Sequence, residues 1–358
     1  MRVGIVASPF IPVPPKTYGG TELFIATLAE ALVREGVEAI VYTNGDSTVG
    51  VEKRYVYPAT EWPVDRIIYQ GLKEVHHTCW SIKDASLCCD VIHLNGPAGV
   101  SLSLFTDKPV VTTLHHPHSE VFRDHYLLNT SVSYTSLSRF QQRRNEPLKS
   151  VVIHHGVDMR AHHFGEGDGG YLCWLGRLSE VKGAHLAIEC AKQLGIPLRI
   201  GGDVQPVNQE YFDRMVKPHI DGHFIQYLGE LNLREKNDLY AHACAFLFPI
   251  SWDEPFGLVM IEAMACGTPV LALRGGSVEE IVMDGVSGFV CDSPAEMVAQ
   301  YPAIERLDRR AIRRYAEEYF SAERMAREYI VLYQSLQRLP MPDSARSEAD
   351  NPLSMIIE

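Results

Sequence analysis

The chain has 358 residues, of which 46% are apolar, and a formal net charge of −12. That length suits two ordinary domains, and the apolar share excludes wholesale disorder. Neither half is basic, which excludes general affinity for nucleic acid, so an anionic ligand has to be met by local cations.

Val3–Ser8 is a short β-branched run that predicts a buried strand. A proline-rich loop from Pro9 to Pro15 leads to Gly19-Gly20. From Thr21, apolar residues recur at helical spacing through Leu23, Ile25, Leu28, Ala31 and Leu32, and Gly36 closes the helix. Ala39–Thr43 predicts a second strand and completes a βαβ unit. Val91–Leu94, Val110–Leu114 and Val151–His154 predict further buried strands. Met159–Gly170 is polar, rich in His and Gly, and reads as a linker.

The pattern then restarts. Tyr171–Leu175 predicts a strand, Gly176–Gly183 a turn, Ala184–Leu194 a helix and Leu198–Ile200 a strand. Phe246–Pro249, Val270–Leu273 and Gly288–Cys291 add strands. Ser277 with Glu280, and Ser293 with Glu296, have the spacing of capping boxes, and Pro294 suits a first helical position. Glu317–Leu336 predicts a helix and Leu339–Glu358 a mobile tail. Two successive series of strands and helices imply two Rossmann-like, doubly wound parallel sheets. Ligands of such sheets bind outside the carboxyl ends of the strands, which places the site in a cleft between facing domains. The expected limits are 1–160 for the first domain, 161–318 for the second, 319–338 for a closing helix and 339–358 for the tail.

The eight cysteines include no C-x-x-C pair and read as small buried side chains in a reducing compartment. No apolar run approaches the length of a membrane span, and the N-terminal run is too short for a signal peptide. A cytoplasmic location is therefore expected. Arg306, Arg309, Arg310, Arg313 and Arg314 interleave with acidic residues and read as a solvated, ion-paired helix face, with peripheral membrane contact as the alternative.

The richest stretch is Ile250–Glu262, which sets Glu254 before a proline and Glu262 within an apolar helix ended by Gly267. Free N–H groups at the helix start lie between the two carboxylates. Acceptors beside donors suit a ligand bearing hydroxyls and phosphates. Glu262 stands among Val259, Met260, Ile261, Ala263, Met264 and Ala265, so it needs a partner, either ribose hydroxyls or a structural Arg or Lys. Gly176–Gly183 follows a strand and opens a helix, with Arg177 and Lys182 bracketing the turn as a diphosphate site or as a solvated loop. Gly19-Gly20 opens the first helix and suits close backbone approach to the same diphosphate, or a plain turn. Histidines are dense, yet no zinc-ligand spacing occurs among them. His115 follows a strand and so sits where ligands dock.

In these residues the chain resembles the retaining glycosyltransferases of family four, from Val3 to about Tyr333. The segment EPFGLVMIEAMACGTPV carries the resemblance, with GRLSEVKG and VIHHGVD beside it. The resemblance implies the GT-B fold and transfer of a hexosyl group from a nucleotide-diphosphate sugar, UDP- or GDP-linked, with retention and without a metal or other cofactor. It implies that Arg177 and Lys182 hold the diphosphate. Glu254, with the N–H groups of Phe256, Gly257 and Leu258, meets the donor sugar. Glu262 binds the ribose. Gly19 and Gly20 approach the diphosphate from the first domain, and His115 lies near the transferred sugar, so that His115, Arg177, Lys182 and Glu254 form the catalytic set. The acceptor is a carbohydrate, a lipid-linked group or a small molecule. A phosphorylase, a nucleotide-sugar epimerase and a non-catalytic sugar-binding protein are the alternatives. Two residues depart from the family pattern: His155 stands in place of an asparagine, and Asn95 in place of a second histidine after His93. Both departures bear on the acceptor side.

Overall fold

The computed structural model describes residues 1–17, 19–61, 64 and 67–338. The tail expected at 339–358 lies outside the described residues. Seven parallel strands form the first sheet: β1 (Arg2–Val6), β2 (Glu38–Asn44), β3 (Glu52–Tyr57), β4 (Val91–Leu94), β5 (Val110–Thr113), β6 (Val132–Ser136) and β7 (Ser150–Val152). Their order is β3-β2-β1-β4-β5-β6-β7. Six parallel strands form the second: β8 (Leu172–Leu175), β9 (Leu198–Gly201), β10 (Ile225–Gly229), β11 (Ala245–Phe248), β12 (Val270–Leu273) and β13 (Gly288–Cys291), in the order β10-β9-β8-β11-β12-β13. Chain order reverses between β1 and β4 and again between β8 and β11. These switch points are where open α/β sheets leave a crevice for ligands.

Most strands coincide with the apolar runs, because a sheet covered on both faces buries nearly every side chain. Three strands were not expected. β3 is an edge strand of charged and tyrosyl residues, partly exposed throughout. β10 is likewise an edge and buries only Ile225 fully. β6 is interior but polar, and its Thr135 hydroxyl pairs with that of Thr113 at 2.8 Å.

The first helix, Gly20–Arg34, buries Phe24, Ile25, Leu28 and Leu32 against the first sheet. The helix expected at Glu317–Leu336 is two helices, Arg309–Phe320 and Ala322–Arg338, broken at Ser321. The second of these returns to the first half. Tyr329 donates to or accepts from Thr113 Oγ1 at 2.8 Å, and Tyr333 meets His93 Nδ1 at 2.7 Å, both rings fully buried.

Two sequence expectations need correction. Ser293 does cap the helix Pro294–Ile304, accepting from Glu296 N. Ser277 does not act as a cap. Its hydroxyl donates to the Phe256 carbonyl at 2.8 Å, and Glu280 reaches across to the first half instead. The arginine-rich helix is only partly a solvated face. Arg310 and Arg314 are exposed and pair with Glu166 and Asp308. Arg309 and Arg313 turn inward and donate to backbone carbonyls, Arg309 to Gly165 at 2.8 Å and Arg313 to Met159 at 2.6 Å. Carbonyls of irregular backbone need donors when buried, and a guanidinium fork supplies several at once.

Candidate functional site

The turn after β8 is held by Gly183. Its φ is +73°, and a Cβ there would lie 1.9 Å from the Pro249 carbonyl oxygen. A side chain at that position is excluded, so the turn closes onto the end of β11, where Ser251 N donates to Val181 O at 2.9 Å. Lys182 is thereby brought to Glu254. The ammonium forms an ion pair with Glu254 Oε2 and sits 4.5 Å above the Trp252 ring. Trp252 Nε1 donates to the same oxygen at 2.9 Å. Oε1 of Glu254 has no protein partner among the described residues, so one face of this 8% exposed carboxylate remains for a ligand.

The opposite side of the Glu254 loop is fixed by Gly276, whose φ is +57° and whose Cβ would meet the Glu254 carbonyl oxygen at 2.2 Å. After this loop the helix Leu258–Ala265 begins, with Gly257 in the left-handed region at its N-cap. The N–H groups of Phe256, Gly257 and Leu258 donate to no described group, as expected of a helix start without a side-chain cap. The Phe256 ring itself is buried, packed edge-on against His155 at 5.0 Å. Glu262 is five residues into the helix and 2% exposed. Of the two partners open to it, the protein supplies a lysine: Lys236 Nζ lies 2.6 Å from Oε1. Tyr240 OH stands 3.5 Å from Oε2.

A cleft of about 660 Å³ opens between the halves, walled by Gly19 and Gly20 on one side and by Arg177, Lys236, Leu258 and Glu262 on the other. Arg177 Nε is buried with no hydrogen-bond partner. A buried guanidinium donor of this kind is open to an acceptor from outside the protein, a ligand or an ordered water. Lys182, Glu254, Phe256, Gly257 and His115 do not line this cleft.

His115 follows β5. Its Nε2 donates to Asn95 Oδ1 at 2.9 Å, and Asn95 Nδ2 donates to the Val6 carbonyl at 3.2 Å. The Val6 carbonyl can only accept, which fixes the asparagine orientation and hence the imidazole tautomer. Burial, then the neighbouring His155, His116 and His93, hold the His115 pKa well below its usual range. The ring is therefore neutral at pH 7, with Nδ1 free to accept. It stacks on His155 at 5.7 Å, and His155 touches Phe256, so an aromatic chain joins His115 to the loop after Glu254. Glu22, at the third position of the first helix, is 6% exposed, and burial pushes its pKa up to about 7.

Sequence reasoning missed Trp252 and Lys236. Trp252 lies two residues before Glu254 in the stretch already singled out, and its indole N–H was a legible donor. Lys236 lies on the polar helix Leu233–His242, and nothing in the linear order ties it to Glu262. Among the described residues, no three His, Cys, Asp or Glu side chains group as a metal site.

Residues 158–318 match the family described as glycosyl transferases group 1, and residues 18–160 match glycosyltransferase family 4. An uncharacterized glycosyltransferase of Methanocaldococcus jannaschii is 27% identical over 219 residues, 57% of this chain and 61% of that protein. Spore coat protein SA of Bacillus subtilis is 22% identical, covering 93% of this chain and 99% of its own length. Among solved structures, Anabaena HepE in complex with UDP and glucose is similar with a TM-score of 0.72 and 19% identity, covering 94% of this chain and all of its own. Sucrose-phosphate synthase from Thermosynechococcus elongatus reaches a TM-score of 0.76 at 18% identity, covering 94% of this chain and 98% of its own. These likenesses show the fold, two facing doubly wound sheets of the GT-B type.

Proposed function

This chain belongs to glycosyltransferase family 4, the group 1 glycosyl transferases, and from that premise we propose that it moves a hexosyl group from a UDP- or GDP-sugar to an acceptor, with retention and without a metal. Residues 161–318 hold the donor, and residues 1–160 face the acceptor. Arg177 and Lys182 neutralise the diphosphate as leaving-group charge develops on it, which fixed cations in a low-dielectric cleft do effectively. Gly19 and Gly20 let backbone approach the same phosphates from the first half. Glu262 takes the ribose hydroxyls while Lys236 balances its charge. Glu254 takes the sugar hydroxyls on its free oxygen, beside the open N–H groups of Phe256, Gly257 and Leu258. Neutral His115, oriented by Asn95, accepts from the transferred sugar.

The observation that carries this reading is Arg177, whose buried Nε lacks an acceptor beside a cleft closed by Gly19, Gly20 and Glu262. The UDP and UDP-glucose complexes of the similar Anabaena protein support a uridine donor. Calorimetric titration with UDP and GDP is the test. One of the two should bind the wild-type chain. Arg177→Ala should weaken it about tenfold or more, since a charged hydrogen bond is worth roughly 1.5–3 kcal/mol. Lys182→Ala should cost at least as much, because it also leaves Glu254 without its cation. Wild-type protein that binds neither nucleotide would overturn the reading.

A further inference from the structure

A second, smaller pocket of about 380 Å³ lies at the switch point of the first sheet, outside the carboxyl ends of β1 and β4. Its walls include Ser8, Thr21, Glu74, Thr78, Asn95 and Gly96. Glu74 comes from the helix Ile67–Cys88, and Oε1 stands 3.5 Å from where a Cβ on Gly96 would lie. The carboxylate is thus set against bare backbone at the pocket wall. It makes no hydrogen bond or ion pair among the described residues. The adjacent Lys73 does not serve it: that ammonium pairs with Glu61 and lies 4.5 Å over the Tyr57 ring. His77, one turn on, is committed to the Ala7 carbonyl at 3.1 Å. Burial raises the Glu74 pKa. A partly buried carboxylate without a donor is costly unless a ligand supplies one.

The pocket adjoins the cleft at Thr21 and reaches His115 through Asn95. Thr21 directly follows Gly19-Gly20, which wall the larger cleft. Asn95 lines the pocket and holds His115 through its other face. The two cavities differ in the cations they offer. The larger cleft sets Arg177 and Lys236 beside Asp203, Glu230 and Glu262, whereas the smaller pocket has Glu74 and no lysine or arginine in its wall. A phosphate or carboxylate entering the smaller pocket would meet Glu74 with no cationic side chain in the wall to balance it. A hydroxyl would donate to Glu74 and find the hydroxyls of Thr21 and Thr78 beside it.

We propose that this switch-point pocket is the acceptor subsite, and that Glu74 selects an acceptor presenting uncharged hydroxyls there while rejecting phosphorylated sugars. The inference rests on the transferase reading for its meaning, but its binding test does not. Saturation-transfer NMR on the full chain would probe D-glucose, D-mannose and D-galactose against their 6-phosphates, with and without the nucleotide that binds in calorimetry. At least one neutral hexose should bind the wild-type protein, and its 6-phosphate should not. Glu74→Ala should weaken that hexose about tenfold or more. Glu74→Gln, which keeps the shape and drops the charge, should admit the 6-phosphate. Unchanged nucleotide binding in both variants shows that the fold is intact. The proposal falls if no neutral hexose binds, if Glu74→Ala binds it as well as wild type, or if the 6-phosphate binds the wild type equally. Loss of nucleotide binding by the wild type would instead sink the transferase reading and leave the hexose result to decide the pocket by itself.

Discussion

Glu22 illustrates how a single side chain sets a pH dependence. In the folded chain it keeps its proton up to about pH 7, against an ordinary value of 4.5, because burial disfavours the carboxylate. A folded-state pKa above the unfolded one contributes stability that is complete below pH 4.5 and lost as pH rises through 7. The shift corresponds to about 3 kcal/mol. Glu22→Gln cannot ionise, so its stability relative to wild type should improve by about that amount between pH 4.5 and pH 8. Urea unfolding of both proteins at the two pH values checks this, and a gap that does not change with pH refutes it. At this scale the sequence was informative where a residue type is rare in its surroundings. Glu262 inside an apolar helix and two cations on a glycine turn were visible as anomalies. Glu22 and Glu74 were not, because an acidic residue in a helix's first turn, or between Lys73 and His76, is ordinary and only the packing around it removes water.

Among the elements, the loop from Trp252 to Gly257 depends on a neighbour it meets only in three dimensions. Gly276 has a left-handed φ and leaves no room for a Cβ against the Glu254 backbone. Gly276→Ala should therefore destabilise the protein by about 1–3 kcal/mol. It should also weaken binding of a nucleotide sugar more than of the bare nucleotide diphosphate, since Glu254 is displaced while Arg177 is not. Thermal unfolding and paired titrations check both parts, and equal losses for the two ligands would count against it. Apart from the polar Val132–Ser136, strands in the sheet interior were legible because burial on both faces demands continuous apolar runs, as in Val91–Leu94 and Val270–Leu273. Edge strands such as Glu52–Tyr57 carry no such demand. The Ser277 cap misled because Glu280 has a better use elsewhere.

At the level of the whole molecule, that use is a latch between halves. The Glu280 carboxylate accepts from Arg139 N at 2.7 Å and Phe140 N at 2.6 Å, at the start of the helix Arg139–Arg144, and lies 3.4 Å from His154 Nε2. Ser138 Oγ donates to Pro255 O at 2.8 Å alongside it, one residue from Glu254. Glu280→Ala should leave each half folded but let the cleft open. Small-angle scattering should then show a larger radius of gyration than wild type, and an unchanged radius would dismiss the latch. No described helix is long and apolar enough to cross a membrane. The two-sheet plan itself was legible from the restart of strand and helix after residue 170, whereas contacts that bridge the halves leave no periodic trace. The final helix carries one more implication. Met325, Tyr329 and Tyr333 belong to the same apolar cluster as Val3, Ile5 and Phe24. During synthesis, the segment around Val3–Phe24 must therefore wait for residues about three hundred positions later before its interior can close. In that interval the nascent first half carries an unfilled apolar seam, a natural client surface for chaperones.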